Sequence, residues 1–191
     1  MPAPPPLQEP SDRELMASVQ AGDLARLGEL FERHQGKLFN FFLKLSRHRA
    51  TAEDLVQEVF VRMLKYRHTY RPEAEFSPWM FTLARNAATD LYRARPKELP
   101  EDPEAPEPAA DLPHPIEGLE KAEQVRRLRA ALARLAPEKR ELLVFARFSE
   151  LRYEEIADIL GVSLGAVKVR VHRALKDLKQ AYLASAGEEM A

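Results

Sequence analysis

The chain of 191 residues is 45% hydrophobic and 31% charged, with 15 prolines, no cysteine and a formal net charge of -1. That length suits one or two compact domains with real cores, and the lack of cysteine excludes disulfides, thiolate catalysis, thiol redox sensing and Cys-ligated zinc. The near-zero charge conceals segregation: residues 12–95 hold 14 basic against 11 acidic side chains (+3), residues 119–183 hold 14 against 9 (+5), and residues 96–118 hold one against seven (-6). Phosphate contact depends on local charge, so two basic blocks around an acidic spacer fit a nucleic-acid partner.

The N-terminal stretch MPAPPPLQEP has neither the charged nor the apolar region of a secretory signal. It reads as part of a disordered tail, residues 1–11. No apolar run approaches the roughly 20 residues of a membrane span. The expectation is a cytoplasmic protein without membrane insertion. Helical periodicity then predicts helices at about 12–20, 23–46, 51–68 and 77–95, within a domain at 12–95. No strand-like alternation is long enough to count. Thr51 opens T-A-E-D and is a candidate N-cap.

The helix over 51–68 carries a core stripe of Leu55, Val56, Val59, Phe60 and Met63. Its opposite face shows Asp54, Gln57, Glu58, Val61 and Lys65. An apolar Val61 there is either an ordinary exposed residue or the mark of a docking surface. Residues 76–95, FSPWMFTLARNAATDLYRAR, mix Phe76, Trp79, Phe81 and Tyr92 with Arg85, Asn86, Asp90, Arg93 and Arg95. Aromatics among polar groups suit unstacked bases, each stacked base being worth ~1–3 kcal/mol. A Trp spaced helically with Phe and Leu more often belongs to a core. Asn86 and Arg85 put base-reading groups on one helical side.

Residues 96–118 are acidic and Pro-rich, with almost no large apolar side chains, and cannot bury enough surface to fold alone. As an extended linker at ~3.1 Å per residue they reach roughly 70 Å, about two turns of DNA at ~34 Å per turn. The second domain, 119–183, shows helices at about 119–135, 138–147, 153–160 and 164–183, before a tail at 184–191. Pro137 fits a first helical turn.

The stretch 153–179, YEEIADILGVSLGAVKVRVHRALKDLK, is the most specific. Ile156, Ala157, Ile159 and Leu160 form a short apolar run that stops at Gly161, a residue free to turn left-handed. Ser163 is a good N-cap for the next helix. That helix carries Leu164, Val167, Val171, Leu175 and Leu178 on one face and Lys168, Arg170, His172, Arg173, Lys176 and Lys179 on the other. A short helix, a Gly turn and a one-sidedly basic second helix form a helix-turn-helix that suits a DNA major groove. Two amphipathic helices around a Gly turn also occur in proteins that never touch DNA; the one-sided charge favours DNA.

No H-E-x-x-H, G-x-S-x-G, P-loop or G-x-G-x-x-G is present, and the five histidines are scattered. The sequence therefore predicts no enzyme, no cofactor and no metal site. An autonomous helix-turn-helix regulator stays open; it needs a dimer interface or effector pocket, and neither a heptad run nor a ligand motif is seen.

Taken together, LFERHQGKLFNFFLKL, AEDLVQEVFVRMLK, FSPWMFTLARNAATDLYRAR and the helix-turn-helix over 153–179, in this order, resemble bacterial sigma factors of the extracytoplasmic-function (ECF, group 4, sigma-70 superfamily) type. The resemblance covers about residues 12–183. It implies an all-α protein of two small helical domains, region 2-like and region 4-like, joined by a flexible linker. It implies core RNA polymerase and promoter DNA as partners. Asp54, Gln57, Glu58 and Val61 would dock on the β′ clamp helices, and region 4 would meet the β flap. Phe76, Trp79, Arg85, Asn86, Asp90 and Arg93 would handle the minus-ten element, with Asn86 at the position that contacts an extruded base. Ser163, Lys168, Arg170, His172, Arg173 and Lys176 would engage the minus-thirty-five element. An anti-sigma factor commonly holds such proteins inactive. One departure is the entry to the first helix of the pair, Glu150-Leu151-Arg152-Tyr153, where Arg152 is a poor N-cap.

Overall fold

The computed structural model describes residues 9–94 and 115–188, with side chains over 9–94 and 123–184. The expected tail through residue 8, most of the linker and the last three residues lie outside the described residues. Within them the chain is α-helical apart from turns. In order come α1 (Asp12–Ala21), α2 (Arg26–Ser46), α3 (Arg49–Tyr66), a 3-10 turn (Arg67–Thr69), α4 (Phe76–Ala94), α5 (Pro115–Arg134), α6 (Pro137–Phe148), α7 (Tyr153–Leu160) and α8 (Leu164–Glu188). No helix among the described residues is long and apolar enough to cross a membrane.

Local chemistry explains most ends. Ser11 and Glu14 form a capping box on α1: the Ser11 N–H donates to the Glu14 carboxylate at 2.7 Å, and the Glu14 N–H to the Ser11 hydroxyl at 3.3 Å. Gly22, at φ 111°, closes that helix in the left-handed region. Pro137 occupies the first turn of α6. Three expectations shift. α3 begins at Arg49 after an extended His48, so Thr51 lies buried inside the helix and caps nothing. α5 begins at Pro115, within the expected linker, and α8 continues to Glu188, into the expected tail. Arg152 stands at the N-cap of α7, and Glu155 accepts its backbone N–H at 2.7 Å. This is only the reciprocal half of a capping box, since Arg152 offers no side-chain acceptor to the first-turn N–H groups.

The N-terminal helices pack around Leu30, Leu38, Phe41 and Phe42 of α2, with Met63 of α3 and Met80 and Phe81 of α4. This core does not stop at the linker. Phe145 of α6 is fully buried, its ring 5.0 Å from Phe41 and 5.9 Å from Phe81, which are themselves 5.2 Å apart. Aromatic triads with centroids at 5–6 Å gain quadrupolar attraction beyond area burial. Polar contacts rim the same seam. Lys37 of α2 donates to Glu150 at 2.6 Å, Lys44 lies 4.6 Å over the Phe148 ring, and Arg85 of α4 donates to Glu141 of α6 at 3.3 Å. Arg140 donates to the Leu132 and Ala133 carbonyls at the end of α5 and to Leu45 O of α2. One guanidinium therefore satisfies helix-end acceptors and ties both sets of helices.

Candidate nucleic-acid and partner interfaces

The helix-turn-helix forms as its residues dictate. Gly161, at φ 65°, ends α7, and its N–H and that of Val162 return to the Asp158 and Ala157 carbonyls. Ser163 accepts the Ala166 N–H at 3.2 Å and so caps α8. Val167, Val171 and Ala174 are buried, which turns the opposite side of α8 to solvent. Ser163, Lys168, Arg170, His172, Arg173 and Lys176 are all exposed there. No ion pair among the described residues engages those cations. A helix with one buried apolar stripe and an open basic face can enter a groove and meet phosphates and base edges together.

The second candidate surface is α4. Asn86, Asp90 and Arg93 are exposed along it. Trp79 is half-buried, its ring 5.2 Å from Tyr70 and its indole N–H donating to the Thr69 hydroxyl at 3.3 Å. Phe76 departs from expectation. It is 3% exposed, packed against His34 at 5.0 Å and Tyr70 at 6.3 Å. The first turn of α4 points inward, so Phe76 is a core residue rather than a surface for bases. Arg85 is half-buried and engaged by Glu141 across the seam. Burial pushes the Glu141 carboxyl above its ordinary value, with Arg85 opposing in part.

The third surface is α3. Asp54 and Gln57 are exposed and Val61 is 60% exposed, so an apolar side chain does stand out of this polar face. Glu58 is half-buried because Arg62 donates to it at 2.7 Å and to Asp90 of α4 at 2.9 Å. Burial disfavours the Arg62 charge, but these two carboxylates outweigh it and hold the guanidinium protonated. Arg62 and Glu141 are not among the residues that the sequence singles out. Glu58–Arg62 has helical i,i+4 spacing and was findable; Asp90 and Glu141 join only through tertiary packing.

These features describe an all-α protein with a helix-turn-helix whose second helix presents an open basic face. Residues 30–98 match the family model Sigma-70 region 2, and residues 125–178 match Sigma-70, region 4. The chain is 35% identical over 192 residues to the ECF RNA polymerase sigma factor SigE of Mycolicibacterium smegmatis, covering 96% of this chain and 73% of that one. It is 32% identical to the RNA polymerase sigma factor CarQ of Myxococcus xanthus, covering 80% and 86%. Among solved structures, CnrH in complex with the cytosolic domain of CnrY superposes with a TM-score of 0.68 at 26% identity, over 91% of this chain and 97% of that one. The chain belongs to the ECF group of the sigma-70 family. It is a transcription initiation factor that binds core RNA polymerase and directs it to promoters.

Proposed function

We propose that residues 12–95 act as the region 2 unit and the helices from α5 to α8 as the region 4 unit, with roles divided by residue. On α3, Asp54, Gln57, Glu58 and Val61 dock on the β′ clamp helices of the polymerase. Charge on such a face sets orientation and on-rate more than affinity. On α4, Trp79, Arg85, Asn86, Asp90 and Arg93 engage the minus-ten element, with Asn86 taking an unstacked base. On α8, Lys168, His172 and Arg173 meet bases and phosphates of the minus-thirty-five duplex, while Ser163, Arg170 and Lys176 fix register on the backbone. The region 4 unit also meets the β flap. The open basic face of α8 opposite a fully buried apolar stripe is the observation that supports this reading most directly.

The protein acts in the cytoplasm, in a stress or envelope response. CnrH was solved in complex with the cytosolic domain of CnrY; this chain takes a protein partner in the same way, and its family membership makes an anti-sigma factor the partner proposed. Run-off transcription on host promoter fragments, with core polymerase and with or without this chain, is the test. Specific transcripts that appear only on its addition support the assignment. No added transcript, with tight duplex binding by the free chain, would make it an autonomous regulator instead.

A further inference from the structure

Val169 lies in the second turn of α8 and is 50% exposed. At about 100° per residue it falls nearly opposite the stripe of Val167, Val171 and Ala174. It is therefore close to the outermost point of the helix. Single exposed apolar residues are common, but this one sits in unusual company. Lys168, Arg170, Arg173 and Lys176 surround it, all exposed. A Cβ placed on Gly165, one turn before it, would meet only the Ser163 hydroxyl, at 4.0 Å, outside the adjoining residues and the helix's own backbone. Ala166 is also small. The N-terminal end of α8 therefore offers little bulk ahead of Val169, and that end is the part of a recognition helix that approaches base edges. A β-branched residue is not a choice for helix stability at an exposed site.

The major-groove edge of DNA presents one apolar group, the C5-methyl of thymine. Valine has two methyls and no hydrogen-bonding group to misread a base. We propose that Val169 reads a thymine methyl in the minus-thirty-five duplex, beside cations that hold guanine or phosphate. The inference rests on the assignment of α8 to that element and adds a specificity-determining residue to it.

The test uses holoenzyme reconstituted with the full chain and promoter duplexes recovered from a random-sequence pool by that holoenzyme. Each thymine of the minus-thirty-five element is replaced in turn by deoxyuridine, which removes only the methyl. Wild-type holoenzyme loses about fourfold in affinity at one position, the worth of one buried methylene-sized group. Holoenzyme carrying Val169→Ser is indifferent to the same replacement. Equal sensitivity in wild type and Val169→Ser, or no sensitive thymine, overturns the proposal. A control keeps the two failures apart. If scrambling the whole minus-thirty-five element leaves wild-type binding unchanged, the assignment of α8 itself falls with it. If scrambling abolishes binding and no thymine methyl matters, only Val169 is removed.

Discussion

Arg85 of α4 donates to Glu141 of α6 at 3.3 Å, across 56 residues of sequence and across the seam between the two sets of helices. The pair occupies a side chain proposed for the minus-ten element, whereas the outer face of α8 stays open. The two candidate DNA surfaces are thus unequal in this arrangement. The basic face of α8 is exposed, and Arg85 is engaged within the chain. For Arg85 to reach DNA, Glu141 must release it.

Glu141 has a pH signature of definite sign. Burial raises its folded-state value above the usual 4.5, more than Arg85 lowers it. A raised carboxyl contributes stability below the unfolded value, and that contribution is lost as pH rises through the folded one. Glu141→Gln stays neutral throughout. Melting temperatures should therefore shift in favour of the variant as pH rises above the ordinary value of about 4.5. A shift in favour of wild type over that range would mean that Arg85 outweighs burial.

Phe145→Ala empties the centre of the shared core. A fully buried Phe lost to Ala costs about 3–5 kcal/mol. The chain has one tryptophan, Trp79, and it lies in α4. Urea unfolding followed by its fluorescence reads the N-terminal helices alone. A lowered midpoint for Phe145→Ala in that signal is expected, because the Phe41–Phe81–Phe145 triad spans both sets. An unchanged Trp79 midpoint, with loss of helix signal elsewhere, would show that the two sets unfold independently.

Asn86→Ala should impair promoter opening and minus-ten choice while core polymerase binding is retained. Asn86 is exposed and supports no contact in the core, so the folded state is unaffected. Open-complex footprints and a polymerase pull-down measure the two effects separately. Loss of polymerase binding would move Asn86 to the docking face.

Asp54→Arg reverses charge on α3 without disturbing Arg62, which is held by Glu58 and Asp90. Affinity for core polymerase should fall by about tenfold, or 1.4 kcal/mol, as expected for a like-charge clash at an interface. Equal affinity at low salt would remove this face from the docking surface. Glu58→Arg is a less direct probe, since it also frees Arg62.

Much of this molecule is local chemistry, legible in the linear order of residues. The span 153–160 for α7, the left-handed Gly161 and the Ser163 cap of α8 follow from groups within four residues of one another. The alternation of buried and basic positions on α8 follows from helical period alone. The packing of distant segments decided the rest. Thr51 had the right composition for a cap but was taken into the core of α3, and Phe76 was drawn against His34 and Tyr70. Phe145 among Phe41 and Phe81, and Glu141 on Arg85, bring together residues more than fifty positions apart, where no periodicity or spacing rule reaches. Local hydrogen bonds and helical period are properties of adjacent residues. Which aromatic fills which gap, and which acid meets which base, depends on the shape left when all the helices have packed.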